Sequence, residues 1–231
     1  MRPYTFQVFS IEHIISIIVI IFVFIAFLRF NKVLGINDNS RTFLFVLAFI
    51  MISLDLSEDL VRVFTGFYSI RKDLPLQLCS IGVYLAAFTL VSRKKIFFDL
   101  IFYWGFVGAT NAILTPDGNL FELRIFFFYS QAYHAALIFA VLWLMIKYDM
   151  RMRYGSILKV VISTNIIVGL LSILNYALDS NYMFLRQIPN SVSPFLMGEW
   201  PVYILMVQVF SIILVVSFIR IQDLLMKPIK Y

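Results

Sequence analysis

Among its 231 residues the chain has one cysteine, Cys79, and two histidines, His13 and His134. One cysteine excludes an internal disulfide and every multi-cysteine metal motif, and two distant histidines fall short of a zinc set. No metal site and no cofactor are expected. The glycine-rich loop that cradles phosphate is missing, and neither an internal repeat nor a linker divides the chain, which reads as a single transmembrane domain over 1–231. Charge is scarce at 14%, whereas a soluble domain carries about a quarter charged residues. With 61% hydrophobic residues, an ordinary soluble domain is excluded. The net charge of +6 invites a nucleic-acid reading, but the basic residues stand at the ends of apolar runs and form no patch. Membrane lipids are the expected partners, nucleic acid is not, and the composition says nothing of oligomeric state.

What the chain does have is apolar runs of about 18 to 22 residues, the length a helix needs to cross a hydrocarbon core of roughly 30 Å. Backbone groups in lipid must be satisfied within the segment, so continuous apolar runs are helical. Hydropathy predicts an all-α, polytopic bundle of seven transmembrane helices over 11–28, 42–63, 74–92, 96–114, 126–146, 157–178 and 202–219. The first run is longer than a signal-peptide core, and no small-residue cleavage site follows it, so it is expected to remain as a helix.

Loop charge orients this bundle. One alternating set of loops holds Arg29, Lys32, Arg41, Arg93, Lys94, Lys95, Lys147, Arg151, Arg153, Lys159, Arg220, Lys227 and Lys230, 13 of the 19 basic residues. The other set holds Arg2, Arg62, Arg71, Lys72, Arg124 and Arg186. The positive-inside rule places the richer set in the cytoplasm, giving an N-out, C-in protein of the cell membrane. On the outer side, 179–201 is rich in apolar residues such as Tyr182, Phe184, Leu185 and Trp200 and is interrupted by Pro189, Pro194 and Pro201. It reads as a lid over the bundle.

Intramembrane polar residues gather at the outer side. The second helix carries Asp55, Glu58 and Asp59 on one face, with Arg62 within ion-pairing distance of the last two. Asn111 and Thr115 end the fourth helix before Asp117. Ser130, Gln131 and His134 lie in the fifth, and Asn165 and Asn175 follow one face of the sixth. Ionisable groups in a bilayer cost roughly 2.5 to 3.5 kcal/mol each on insertion scales, so they mark partners or function. A thiol becomes an acyl-accepting nucleophile when a base draws off its proton, and imidazole suits that task near neutral pH. Cys79 and His134 share one inferred depth on different helices and are the candidate catalytic pair. His13, read as interfacial, is the rival base. Gln77, Asn111 and Thr115 are candidate oxyanion donors. Asn165, Asn175 and Tyr182 complete the candidate substrate-binding set, although for the two asparagines interhelical hydrogen bonding is the favoured reading. Asp55, Glu58, Asp59, Asp117 and Arg124 are assigned to polar support.

Several motifs carry a resemblance: LPLQLCS at 74–80, TPD at 115–117, ELRIFFF before His134, TN at 164–165, NYMFL at 181–185 and EWP at 199–201. Together they resemble the YwaF family of bacterial integral membrane proteins along nearly the whole chain. The resemblance implies a distant relation to an animal branch regarded as phospholipid acyltransferases, whose active-site cysteine and histidine map onto Cys79 and His134. Two departures stand out, since family members commonly have histidine at Gln77 and a Ser-His-Gly setting where this chain has Tyr133, His134 and Ala135. The leading expectation is a membrane acyltransferase or lipid-ester hydrolase with an outward-facing Cys/His pocket. The alternatives are a small-solute or proton-coupled transporter using the acidic trio, or a non-catalytic membrane scaffold.

Overall fold

A computed structural model describes residues 4–30, 41–189, 191, 193 and 195–225. Arg2, Lys32, Lys227 and Lys230 of the loop charges and Pro194 of the lid lie outside the described residues. Among the described residues every regular element is helical. We number the long ones α1 (Ile11–Phe30), α2 (Arg41–Thr65), α3 (Leu78–Ser92), α4 (Lys95–Leu114), α5 (Arg124–Tyr148), α6 (Ile157–Leu178) and α7 (Val202–Leu225). Each coincides with one of the apolar runs. Five of them, α1, α4, α5, α6 and α7, are long and apolar enough to cross a membrane. α2 carries its three carboxylates among apolar residues, and α3 has only 15 residues, about 22 Å of rise.

The last helix runs past the predicted 219 to Leu225, and two others depart from the hydropathy reading for local reasons. The third helix starts at Leu78, because Pro75 holds 74–77 outside helical geometry, and Gln77 precedes it in extended backbone. The fourth helix is not regular. A 3₁₀ turn leads into α-helix at Phe98–Ile101, the backbone widens to a π-helix over Phe102–Gly108, and α-helix resumes at Ala109–Leu114. Its two glycines face close neighbours. A Cβ on Gly105 would lie 3.1 Å from Cγ and Cδ1 of Leu137 on α5, and one on Gly108 would lie 3.6 Å from the Cys79 sulfur.

The core sits among α2, α3, α4 and α5. Val83, Ala86 and Leu90 of α3, Ile101 and Phe102 of α4, and Leu137, Trp143 and Leu144 of α5 form one buried cluster. Phe27 and Phe43 bring α1 and α2 onto Trp143, at ring-centroid distances of 5.4 and 5.3 Å. Half of α4 is buried, but only 6% of α1 and 17% each of α6 and α7, so these three form the lipid-facing rim. The loops 66–77, 115–123 and 179–201 meet at one end of the bundle, here termed the upper end.

Candidate functional site

At the upper end, α3, α4, α5, α6 and α7 enclose a cavity of about 320 Å³ roofed by residues 183–185, 189, 191, 193 and 196. Gln77, Cys79, Asn111, Thr115, Asp117 and His134 all line it. Six of the side chains singled out in the sequence, from three helices and two loops, therefore reach one space.

Cys79 comes to this cavity in the first turn of α3, half-buried. The first intrahelical bond runs from Ile81 N–H to Gln77 C=O at 3.0 Å, so the N–H groups of Leu78, Cys79 and Ser80 have no carbonyl one turn earlier. The sulfur thus stands at the positive end of a helix dipole. Gly108, without a side chain, gives it room against α4. His134 lies on α5, one turn after Ser130. Its Nδ1 is 2.7 Å from the Ser130 carbonyl, which can only accept, so Nδ1 carries the proton and Nε2 holds the lone pair of the neutral ring. The Tyr133 ring stands 4.1 Å from the His134 ring, centroid to centroid, and also lines the cavity.

The remaining wall is a set of hydrogen bonds between the site and its roof. Gln77 Oε1 accepts from Met183 N–H at 2.9 Å. Asn111 Oδ1 accepts from the hydroxyls of Thr115 (3.1 Å) and Ser193 (3.3 Å), and the Thr115 carbonyl accepts from Ser191 Oγ at 2.7 Å. Asp117 Oδ1 accepts from Asn119 N–H at 2.9 Å and caps the turn after α4. From the apolar segment read as a lid, Met183, Phe184, Leu185, Pro189 and Leu196 line the cavity together with Ser191 and Ser193.

Seven of the candidates lie elsewhere, for identifiable reasons. Asn175 is fully buried, and its amide is spent on the base of the roof: Nδ2 donates to Tyr182 C=O (2.9 Å), while Oδ1 accepts from Tyr182 N–H (2.7 Å) and Ser180 Oγ (2.8 Å). Tyr182 points away from the cavity, its hydroxyl donating to Ile70 C=O at 2.6 Å and accepting from Leu74 N–H at 3.1 Å. Asn165 exchanges amide bonds of 3.3 and 3.2 Å with Gln208 across α6 and α7 on an exposed face, the interhelical role favoured for it from the sequence.

Asp55 is buried between α2 and α3, hydrogen-bonded to Ser80 and Tyr84. Glu58 binds Arg62 at 2.8 Å, and Asp59 is half-buried beside that pair, lining no part of the cavity. Arg62 is the centre of a buried clamp. It reaches Glu122 at 2.9 Å, Asp73 at 3.5 Å and the Leu120 carbonyl at 2.9 Å, and its guanidinium lies 4.1 Å above the Phe126 ring. Within this clamp burial raises the Asp73 carboxyl above its ordinary range, against the Ser69 N–H and Arg62. Burial acts the same way on Glu122, but the bond from Lys72, a backbone N–H and Arg62 outweigh it and hold that carboxyl low. Arg124 is on another face, bound through Nε to Glu12 Oε1 at 2.6 Å.

His13 is fully buried, not interfacial. Its Nε2 is 2.7 Å from the Ile113 carbonyl and its Nδ1 accepts from Phe9 N–H at 3.0 Å, so both nitrogens are engaged in fastening the N-terminal segment to α4. It has no lone pair left to serve as a base.

A model described as the TMEM164 family matches residues 8–219. The chain belongs to the TMEM164 family. An uncharacterized protein of Treponema pallidum (strain Nichols) is 24% identical over 127 residues, which cover 53% of this chain and 51% of that protein. The chain thus spans about half the length of the curated relative it matches. No solved structure matches. The family and the five apolar helices together make this a multi-pass membrane protein.

This TMEM164-family chain also brings residues to the cavity that sequence reasoning passed over. Tyr103 and Gly108 enter from the π-helix, Thr164 from α6, and Tyr203, Gln208 and Ser211 from α7. For α4 a signal existed in Gly105 and Gly108, since glycines inside a helix mark a bulge or a close approach. For α3 it was Pro75, which announces a helix start a few residues later and hence puts Cys79 in a first turn.

Proposed function

We propose that this protein transfers or hydrolyses acyl groups of lipid esters, with Cys79 as nucleophile and His134 as general base. The observation that carries the reading is that both residues line one cavity of about 320 Å³ under an apolar roof, with the ring's unprotonated nitrogen at Nε2. An ester carbonyl entering there meets the sulfur. His134 Nε2 takes the thiol proton as the sulfur–carbon bond forms, and the carbonyl π electrons move onto oxygen. The N–H groups opening α3 and the Asn111 amide, whose Oδ1 is already engaged by Thr115 and Ser193, are the donors for that oxyanion. Collapse breaks the ester carbon–oxygen bond, the leaving alkoxide takes the proton from the imidazolium, and an acyl-cysteine remains. Water or an acceptor hydroxyl then attacks the thioester, with His134 removing its proton and returning it to the sulfur.

The same reading takes the chain as seven crossings of the cell membrane, N-out and C-in, with the cavity opening toward the outer leaflet. Loop charge supports this orientation, with 13 of the 19 basic residues in one alternating set of loops. The roof residues Met183, Phe184, Leu185 and Leu196 give such a site apolar contact for an acyl chain.

The test is labelling by a fluorescent fatty-acyl p-nitrophenyl ester in membranes containing the protein. The label is expected on Cys79, released by neutral hydroxylamine as a thioester is, and absent from Cys79→Ala. His134→Gln should slow labelling by about 10²- to 10⁴-fold, the usual worth of a general base. Label that persists in Cys79→Ala of unchanged thermal stability removes the cysteine from the mechanism.

A further inference from the structure

On a different face of α5 from the Cys79 cavity, a second space opens between α1 and α5. Its upper part, about 590 Å³, is lined by Glu12, Ser16, Arg124, Phe128 and Gln131. Its lower part, about 690 Å³, is almost wholly apolar and runs past Phe24, Phe27, Phe43 and Phe139. The two share Val19, Ile20 and Ala132, so they form one groove along the rim helix. None of these residues lines the Cys79 cavity.

Gln131 is the anomaly in this groove. It is 4% exposed, and neither Oε1 nor Nε2 of its amide has a hydrogen-bond partner. A buried amide with both ends unmet is costly in any medium and more so in hydrocarbon. It follows Ser130 by one residue, so it points about 100° around α5 from the Ser130 and His134 face. Arg124 lies about 10 Å up the helix from it. Its Nε is used on Glu12 and its guanidinium stands 5.9 Å from the Phe128 ring centroid, while the two terminal nitrogens make no hydrogen bond among the described residues. Below Gln131 the apolar floor continues to Leu142, about 16 Å along the helix, close to the roughly 15 Å hydrocarbon depth of one leaflet.

We propose that this groove holds one glycerophospholipid of the surrounding leaflet. Its phosphate meets the terminal nitrogens of Arg124, the ester carbonyl of its glycerol accepts from Gln131 Nε2, and an acyl chain lies along the aromatic floor. The polar groups line one part of the groove and the apolar floor the other, the order in which a lipid carries its headgroup, esters and chains. The site is separate from the Cys79 cavity and does not depend on the chemistry proposed there.

The protein purified in mild detergent should retain one phospholipid in native mass spectrometry. Added palmitoyl-oleoyl phosphatidylglycerol should raise its melting temperature. Gln131→Leu removes the amide at similar volume, and Ala132→Phe blocks the groove where its two parts join. Each should lower apparent lipid affinity at least tenfold while Cys79 labelling stays at the wild-type rate. Glycerol 3-phosphate, which has the phosphate without chains, should give no shift. Retention of the lipid by Gln131→Leu, a stabilising effect of glycerol 3-phosphate alone, or no stoichiometric lipid in the wild type would overturn the assignment. Should Ala132→Phe fail to fold, Gln131→Leu decides alone.

Discussion

Replacing Asn175 with alanine tests whether the roof of the cavity is held by one buried amide. In the native protein Asn175 satisfies the backbone N–H and C=O of Tyr182 and the hydroxyl of Ser180. Alanine leaves the two backbone groups at a fully buried residue without partners. A buried group deprived of its partner costs about 1 to 3 kcal/mol. Partial relief comes from the tyrosine hydroxyl, which still holds Ile70 and Leu74, so we expect a net loss of about 2 to 4 kcal/mol in roof closure. At a factor of ten per 1.4 kcal/mol, the open population rises roughly 30- to 1,000-fold. Cys79 is the only thiol in the chain, so the rate of its alkylation by a bulky maleimide reads that population directly when reclosing is fast. Ser217→Ala serves as the control, because its hydroxyl, on an exposed face of α7, donates to the Ile213 carbonyl and lines no part of the cavity. Labelling of Asn175→Ala at the wild-type rate, with unchanged melting, would refute the reasoning and return Asn175 to the candidate ligands.

Further outcomes follow from the upper-end clamp and the helix contacts. Arg62→Met leaves Glu58, Asp73 and Glu122 without their shared cation and should destabilise the protein by about 3 to 5 kcal/mol in thermal unfolding. Arg62→Lys should recover only part, since one ammonium cannot reach all three carboxylates and the Leu120 carbonyl. Glu122, held below the ordinary carboxylate range, contributes stability that is complete above its unfolded value and lost as pH falls through its folded value. Asp73, raised by burial, works in the opposite sense, gaining stability as it protonates. The melting temperature of Glu122→Gln should therefore fall less steeply than wild type between about pH 5 and pH 3, a difference that vanishes if the carboxylate carries no net interaction. Gly105→Ala sets a methyl 3.1 Å from two Leu137 carbons in a fully buried contact and should cost about 1 to 3 kcal/mol. Combining it with Leu137→Ala should cost less than the sum of the two, as measured by thermal unfolding, and strict additivity would mean that the two residues do not meet.

Much of the architecture was legible because hydropathy reports depth. Each apolar run became a helix, the Glu58 and Arg62 pair followed from their spacing, and the shared depth of Cys79 and His134 anticipated their common cavity. The composition of 179–201, too apolar for a free loop, foretold a roof. Direction around the helix was not legible: Asn175, Tyr182 and Arg124 turn to partners outside the cavity, and His13 fastens the N-terminal segment to α4.

That division has one physical cause. In water the polar face of a helix turns outward, so its pattern reveals which side meets the core. In a bilayer both lipid and core are apolar, and the pattern along α1, α5 or α6 does not distinguish them. The amino-acid order by itself determined which segments are helices, where along each helix its polar groups fall and where proline delays a helix start. Only the packed bundle decided which of those groups share a space: Cys79 in the first turn of a short helix and His134 on α5 line one cavity, while Gln131, also on α5, lines another groove and has no hydrogen-bond partner among the described residues.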